Sequence, residues 1–90
     1  MKLEIIKKLF FSHKRIKVVN FFIHQDNIFY ESEISQKLHI NRSTLQVILK
    51  DFVKIGFLRK IESAYKTFYQ VNKKFLLYKN ILSLISKIKH

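Results

Sequence analysis

The 90-residue sequence contains no cysteine, no proline and a single glycine, Gly56. Without cysteine, the chain has no disulfide bond, no thiol nucleophile and no thiolate metal ligand. The lack of proline and the single glycine leave no candidate linker and no low-complexity segment. We therefore expect a compact chain, and the absence of cysteine agrees with a cytoplasmic location.

Long hydrophobic runs are also missing. The longest uncharged stretches, such as Val18 to Gln25 and Asn80 to Ser86, fall well short of the roughly 20 apolar residues that a membrane-spanning helix needs. Charged residues, among them Lys2, Glu4 and Lys7, interrupt the segment where a secretory signal would have its apolar centre. The sequence therefore predicts no membrane partner.

Acidic residues are scarce: six Asp and Glu stand against eighteen Lys and Arg, which gives a formal net charge of +12. A coding bias toward AT-rich codons raises Lys, but it raises Glu as well, so the deficit of acids is the informative part. Such a charge attracts polyanions, with nucleic acid favoured over an anionic membrane surface. The nine Phe and four Tyr, within a 48% apolar composition, exclude a disordered chain.

Helical spacing of apolar residues predicts two helices at the amino end of the chain. The first covers residues 1–11, and whether it is separate from the second stays open. Ser12 is the expected cap of the second helix. Its apolar residues fall into two stripes, Ile16, Val19, Phe22 and Ile23 in one and Val18 and Phe21 in the other.

The middle of the chain predicts a short strand and two short helices. The strand is expected at residues 27–29, the next helix from Glu31 or Ser32 to Leu38, and a further helix from Arg42 to about Ile55. Residues 39–41 form the turn between the helices, and Gly56 ends the second one in a left-handed conformation. The apolar stripe of the second helix comprises Leu45, Ile48, Leu49 and Phe52.

The last third of the sequence predicts a β-hairpin followed by a helix. The strands are residues 57–61 and 67–71, and the helix runs from Lys73 to Lys89 with Asn72 as its cap. The expected fold class is therefore mainly α with a small β-hairpin (α+β). Residues 1–72 are expected to form one domain, and residues 73–90 a C-terminal helix that forms a homodimer. The candidate dimer contacts on this helix are Leu77, Ile81, Leu84, Ile85 and Ile88.

Two helices joined by a three-residue turn match the helix-turn-helix motif. The residues concerned are Ser32-Glu33-Ile34, the run from Leu38 to Leu45, Leu49-Lys50 with Phe52, and the run from Gly56 to Arg59. On these residues the sequence resembles the winged helix-turn-helix family of prokaryotic and archaeal DNA-binding regulators of the MarR or ArsR type. The resemblance covers about residues 12–72. It departs from the family at His39, where the family usually has glycine, and at a short hairpin tip.

The resemblance implies a sequence-specific double-stranded DNA-binding protein and transcriptional regulator that is nucleoid-associated. Helix 42–55 would enter the major groove, and the hairpin 57–71 would be a wing on the DNA backbone. Gln46 and Val47 suit adenine and a thymine methyl group, while Arg42 and Lys50 suit phosphates. The candidate DNA-binding residues are Arg42, Ser43, Thr44, Gln46, Val47, Lys50, Arg59, Lys60, Tyr65 and Lys66.

Three alternatives stay open at this point. The polar face of helix 42–55 is also what any solvated amphipathic helix presents. An architectural, chromatin-type winged-helix protein would use the same layout without sequence preference. A winged helix can also be a protein–protein interaction module, because fold does not determine function.

Catalytic and ligand-binding signals are missing from the sequence. His13, His24, His39 and His90 lack the spacing of metal ligands, and the sequence has no nucleophile–base pair, carboxylate dyad or glycine-rich phosphate loop. We therefore predict no enzyme activity, no metal, no cofactor and no small-molecule ligand.

Overall fold

The computed structural model describes residues 2–88, without the side chains of residues 2, 3, 85 and 88. Within that range the protein has five α-helices and a three-stranded antiparallel sheet, which confirms the predicted α+β class. The helices are α1 (Lys2–Phe10), α2 (His13–Ile23), α3 (Glu31–Leu38), α4 (Arg42–Lys54) and α5 (Tyr78–Ile88). The strands are β1 (Phe29–Tyr30), β2 (Leu58–Glu62) and β3 (Thr67–Val71).

The first two helices are separate. Ser12 lies between them in an extended conformation, and its hydroxyl accepts a hydrogen bond from the backbone N–H of Arg15 at 3.2 Å, as expected of an N-cap. The predicted stripes of α2 need one correction, because Ile16 is 41% exposed. The buried face of α2 instead combines residues from both stripes, namely Val18, Val19, Phe22 and Ile23, because α2 packs between several elements.

Helices α3 and α4 meet at a tight turn that includes residues 39–41, as predicted. His39 ends α3 with φ 54° and ψ 44°, in the left-handed region. Asn41 begins α4, and its side chain accepts a hydrogen bond from the backbone N–H of Thr44 at 3.1 Å. The predicted apolar stripe of α4 is confirmed, since Leu45, Ile48, Leu49 and Phe52 are all buried.

The sheet has the strand order β1-β3-β2. Strand β1 begins at Phe29, two residues later than the sequence predicts. The reason is that Phe29 packs against the rings of Phe21 and Phe22, while Ile28 stays 46% exposed. In the antiparallel hairpin of β2 and β3, Leu58 lies opposite Val71 at the open end and Glu62 lies opposite Thr67 next to the turn. The prediction began the first hairpin strand at Phe57, which is instead a buried residue before β2.

The last helix begins five residues later than predicted. Asn72 caps a turn rather than a helix, because its side chain accepts from the backbone N–H of Lys74 at 3.0 Å and its carbonyl accepts from that of Phe75. This turn directs Phe75 into the core, where it meets the ring of Phe57 with centroids 5.7 Å apart. Continuous helix from Lys73 is therefore wrong, since burial of Phe75 determines the path of residues 73–77.

One hydrophobic core joins all these elements. It is centred on α2, α4 and the inner face of the sheet, and it receives Leu9 from α1 and Ile81 from α5. Within residues 2–88, no helix combines the length and the apolar composition that crossing a membrane requires.

Candidate nucleic-acid interface

Helix α4 carries six of the ten residues that the sequence predicts for DNA binding. Because Leu45, Ile48, Leu49 and Phe52 turn inward, the helix exposes Arg42, Ser43, Gln46, Val47 and Lys50, and leaves Thr44 half-buried. Val47 is 56% exposed although it is apolar. Three clefts among the described residues border this face, and each candidate residue other than Arg59 lines one of them.

The first cleft lies between α4 and the hairpin. It has a volume of about 220 Å³ and is lined by Gln46, Lys50, Val53, Lys60 and Tyr69. Lys60 reaches it because it pairs with Tyr69 across the hairpin, so both side chains lie on the same face of the sheet. Burial raises the pKa of the Tyr69 hydroxyl, which outweighs the opposing effect of Lys60. The structure thus brings Gln46, Lys50 and Lys60 together in one cleft.

The second cleft, of about 310 Å³, lies between the start of α3 and the hairpin tip. Arg42, Tyr65 and Lys66 line it, together with Tyr30 and Glu31. The ammonium of Lys66 stands 4.1 Å from the centroid of the Tyr30 ring, a cation–π contact. Tyr65 is 95% exposed at the tip of the hairpin.

Glu31 connects this cleft to the face of α4. Its Oε1 accepts hydrogen bonds from Nε of Arg42 at 3.2 Å and from Nε2 of Gln46 at 2.8 Å. The sequence indicated Glu31 only as an acid favoured at the start of a helix. Its partners lie 11 and 15 residues further along the chain, so no local pattern could identify them.

The third cleft, also of about 310 Å³, lies where the start of α2 meets α4. Ser43, Thr44 and Val47 line it from α4, and Ser12, Lys14 and Arg15 complete it from the α2 side. Sequence reasoning did not place Lys14 beside this face. The available signal was a lysine two residues after a helix cap, but helix packing decides which residues it neighbours.

Arg59 does not join the other candidates. It pairs with Gln70 across the hairpin, on the face of the sheet opposite to Lys60 and Tyr69. There it lines a separate cleft of about 530 Å³ with Asp26, Gln70, Lys73 and others. Successive residues of a strand point to opposite faces, so Arg59 and Lys60 cannot both face α4.

The candidate dimer residues are unequally placed. Ile81 is only 3% exposed and belongs to the core of its own chain, and Leu77 is half-buried against that core. These two residues leave little surface for a second chain, whereas Leu84 is 47% exposed. The side chains of Ile85 and Ile88 lie outside the described part of the structure.

A second arginine–carboxylate pair lies at the other side of α4. Nη2 of Arg15 donates to Oδ2 of Asp51 at 2.7 Å, and its Nη1 donates to the carbonyl of Lys8 at 2.8 Å. Burial acts to raise the pKa of Asp51, but the hydrogen bond and charge of Arg15, with Lys8, outweigh burial and lower it. This pair connects α1, α2 and α4 below the exposed face.

The acidic residues are largely occupied by internal partners. Ion pairs with a lysine or arginine are formed by four of them, Asp26, Glu31, Asp51 and Glu62. Glu33 accepts a hydrogen bond from the backbone N–H of Tyr30 at 3.0 Å. Several cations, by contrast, have no ion-pair partner within residues 2–88. They include Lys14, Lys50 and Arg59. Of these, Lys14 and Lys50 line clefts beside the exposed face of α4, so their positive charge remains available there.

Among the described side chains, no three His, Asp or Glu residues form a group that could hold a metal ion. In comparisons with known proteins, the sequence matches no protein-family model, and no curated protein is significantly similar to it.

Proposed function

We propose that the protein is a winged helix-turn-helix protein that binds double-stranded DNA in a sequence-specific manner and regulates transcription. In this proposal α3, the turn at residues 39–41 and α4 form the helix-turn-helix, and β2 and β3 form the wing. The exposed face of α4 would lie in the major groove. The observation that carries the proposal is the grouping of Gln46, Lys50 and Lys60 in one cleft beside that face.

The composition of the α4 face favours sequence recognition over an architectural role. Gln46 and Val47 are uncharged and exposed at its centre. A protein that binds only the phosphate backbone of DNA would gain more affinity from lysine or arginine at these positions. A glutamine amide matches the hydrogen-bonding edge of adenine, and an apolar side chain matches the thymine methyl group. Lys50, Lys60 and Lys14 border this centre and suit phosphates.

Two alanine substitutions test the proposal, one of a lysine at the site and one of a lysine away from it. Lys50→Ala should weaken binding to a duplex selected from random sequences, and it should reduce the slope of log affinity against log salt by about 0.9 if one phosphate contact is lost. Lys79→Ala is the matched control, because Lys79 is an exposed lysine of α5 and its removal changes the net charge equally. The measurement is fluorescence anisotropy at several salt concentrations.

Three outcomes separate the alternatives. Equal losses in Lys50→Ala and Lys79→Ala would mean that the net charge, rather than the α4 face, binds DNA. Wild-type protein that binds selected and scrambled duplexes equally would instead support the architectural role, since a regulator should prefer its site by about 10³-fold or more. No duplex binding at moderate salt would leave the protein-interaction role.

A homodimer through α5 is part of the proposal, with nucleoid association as its setting. Leu84 is the candidate contact that is described and exposed, at 47%. Leu84→Lys should therefore shift the protein toward the monomer in sedimentation velocity while leaving its circular dichroism unchanged. A wild-type protein that sediments as a monomer would remove the dimer from the proposal.

A further inference from the structure

An acidic side chain occupies the edge of a surface that is otherwise positive. Glu31 lies beside the exposed face of α4, and its side chain is 18% exposed, against 61% for the Arg42 that it contacts. A carboxylate repels DNA phosphates, so its presence there lowers the affinity for any duplex. The helix dipole alone does not account for it, because Glu33 already lies in the same first turn and accepts from the Tyr30 backbone.

The contact with Gln46 fixes the orientation of an amide. An ionised carboxylate only accepts hydrogen bonds, so the nitrogen Nε2 of Gln46 faces Glu31, at 2.8 Å, and its oxygen Oε1 faces away. The amide keeps a second N–H and its carbonyl oxygen for another partner. One donor and one acceptor side by side is the arrangement that complements N7 and the N6 amino group of adenine in the major groove.

The contact with Arg42 acts in a similar way. Glu31 accepts a hydrogen bond from Nε of Arg42 at 3.2 Å. The four N–H groups of the two terminal guanidinium nitrogens do not take part in this bond. Because the side chain of Arg42 is 61% exposed, these groups are accessible to a phosphate or to a guanine edge. One carboxylate oxygen thus orients two neighbouring side chains of α4.

We infer that Glu31 is a positioning residue for base recognition, which holds Gln46 and Arg42 in the orientation that distinguishes one DNA sequence from another. This inference rests on the DNA-binding function proposed above. It assigns to Glu31 a gain in specificity at the expense of affinity. The two effects have opposite signs, so they can be separated by experiment.

The decisive variant is Glu31→Gln, which removes the charge and keeps nearly the same shape. Its affinity for a scrambled duplex should rise or stay equal, while its preference for the duplex selected by the wild type should fall by about tenfold, within the range of one base contact. Glu62→Gln is the matched control, because Glu62 is an exposed acid of the hairpin whose ion-pair partner is Lys60. It should leave the preference unchanged.

A double variant tests whether the effect passes through Gln46. In a Gln46→Ala background, Glu31→Gln should reduce the preference less than it does in the wild type. Equal reductions in both backgrounds would exclude the positioning of Gln46, and an unchanged preference in the single variant would overturn the positioning role as a whole. A uniform loss of affinity for both duplexes would mean that Glu31 only supports the fold. If the wild-type protein shows no preference between the selected and the scrambled duplex, the sequence-specific function itself is contradicted.

Discussion

The two ends of α4 each contain an arginine–carboxylate pair, and the pairs differ in burial. Near the end of the helix, Asp51 pairs with Arg15, and the two side chains are 19% and 14% exposed. At its beginning, Arg42 pairs with Glu31 and remains 61% exposed. The chemistry is the same in both cases, so the surroundings decide what each pair does.

The less exposed pair connects helices. Arg15 belongs to α2, donates to the last turn of α1 and to Asp51 of α4, and its guanidinium lies 6.0 Å from the centroid of the Phe52 ring. Removal of one partner would leave polar groups poorly solvated. The exposed pair has water beside it, so its loss costs little stability. We conclude that the first pair holds the fold together and that the second orients side chains.

The largest expected effect follows from this difference. Arg15→Ala should lower the free energy of unfolding by about 2–3 kcal/mol, because it removes charge-assisted hydrogen bonds and packing on Phe52. Arg42→Ala is the matched control, and it should lower that free energy by less than about 1 kcal/mol. Urea denaturation measures both. Equal losses in the two variants would contradict the distinction between the two ends of α4.

A smaller effect concerns the residues at positive φ that flank α4. Gly56 has φ 92°, and a Cβ there would meet only Cδ1 of Phe75, at an ordinary 3.8 Å. Gly56→Ala should therefore cost about 1–2 kcal/mol, from backbone strain alone. His39 has φ 54°, so His39→Gly should leave stability unchanged or raise it by up to about 1 kcal/mol. Thermal unfolding checks both signs, and a stabilising Gly56→Ala would refute the strain argument.

Local sequence signals predicted much of the fold. Ser12 and Gly56 act where their residue types indicated, because caps and turns depend on a few neighbouring backbone atoms. The predicted start of the last helix is wrong because Phe75 packs on Phe57, a contact between residues that are distant in the sequence. Periodicity cannot show that burial of one aromatic ring outweighs continuation of a helix.

The candidate site divides in the same way. Exposure of Gln46, Val47 and Lys50 follows from helical periodicity, which the sequence displays directly. The position of Arg59 on the other face of the hairpin also follows from strand alternation, although the sequence prediction grouped it with Lys60. The bonds of Glu31 to Arg42 and Gln46 depend on how α3 packs on α4, and no pattern in a single sequence contains that information.

Strand β2 lies at one edge of the sheet, since the strand order is β1-β3-β2. Edge strands expose backbone donors and acceptors that can pair with another copy of the chain, and charged side chains, lysine above all, discourage such pairing. Arg59 and Lys60 lie in the middle of β2. The same two cations therefore oppose edge-to-edge aggregation whatever else they contact, and a variant that neutralises both would leave a strand that is more prone to self-association.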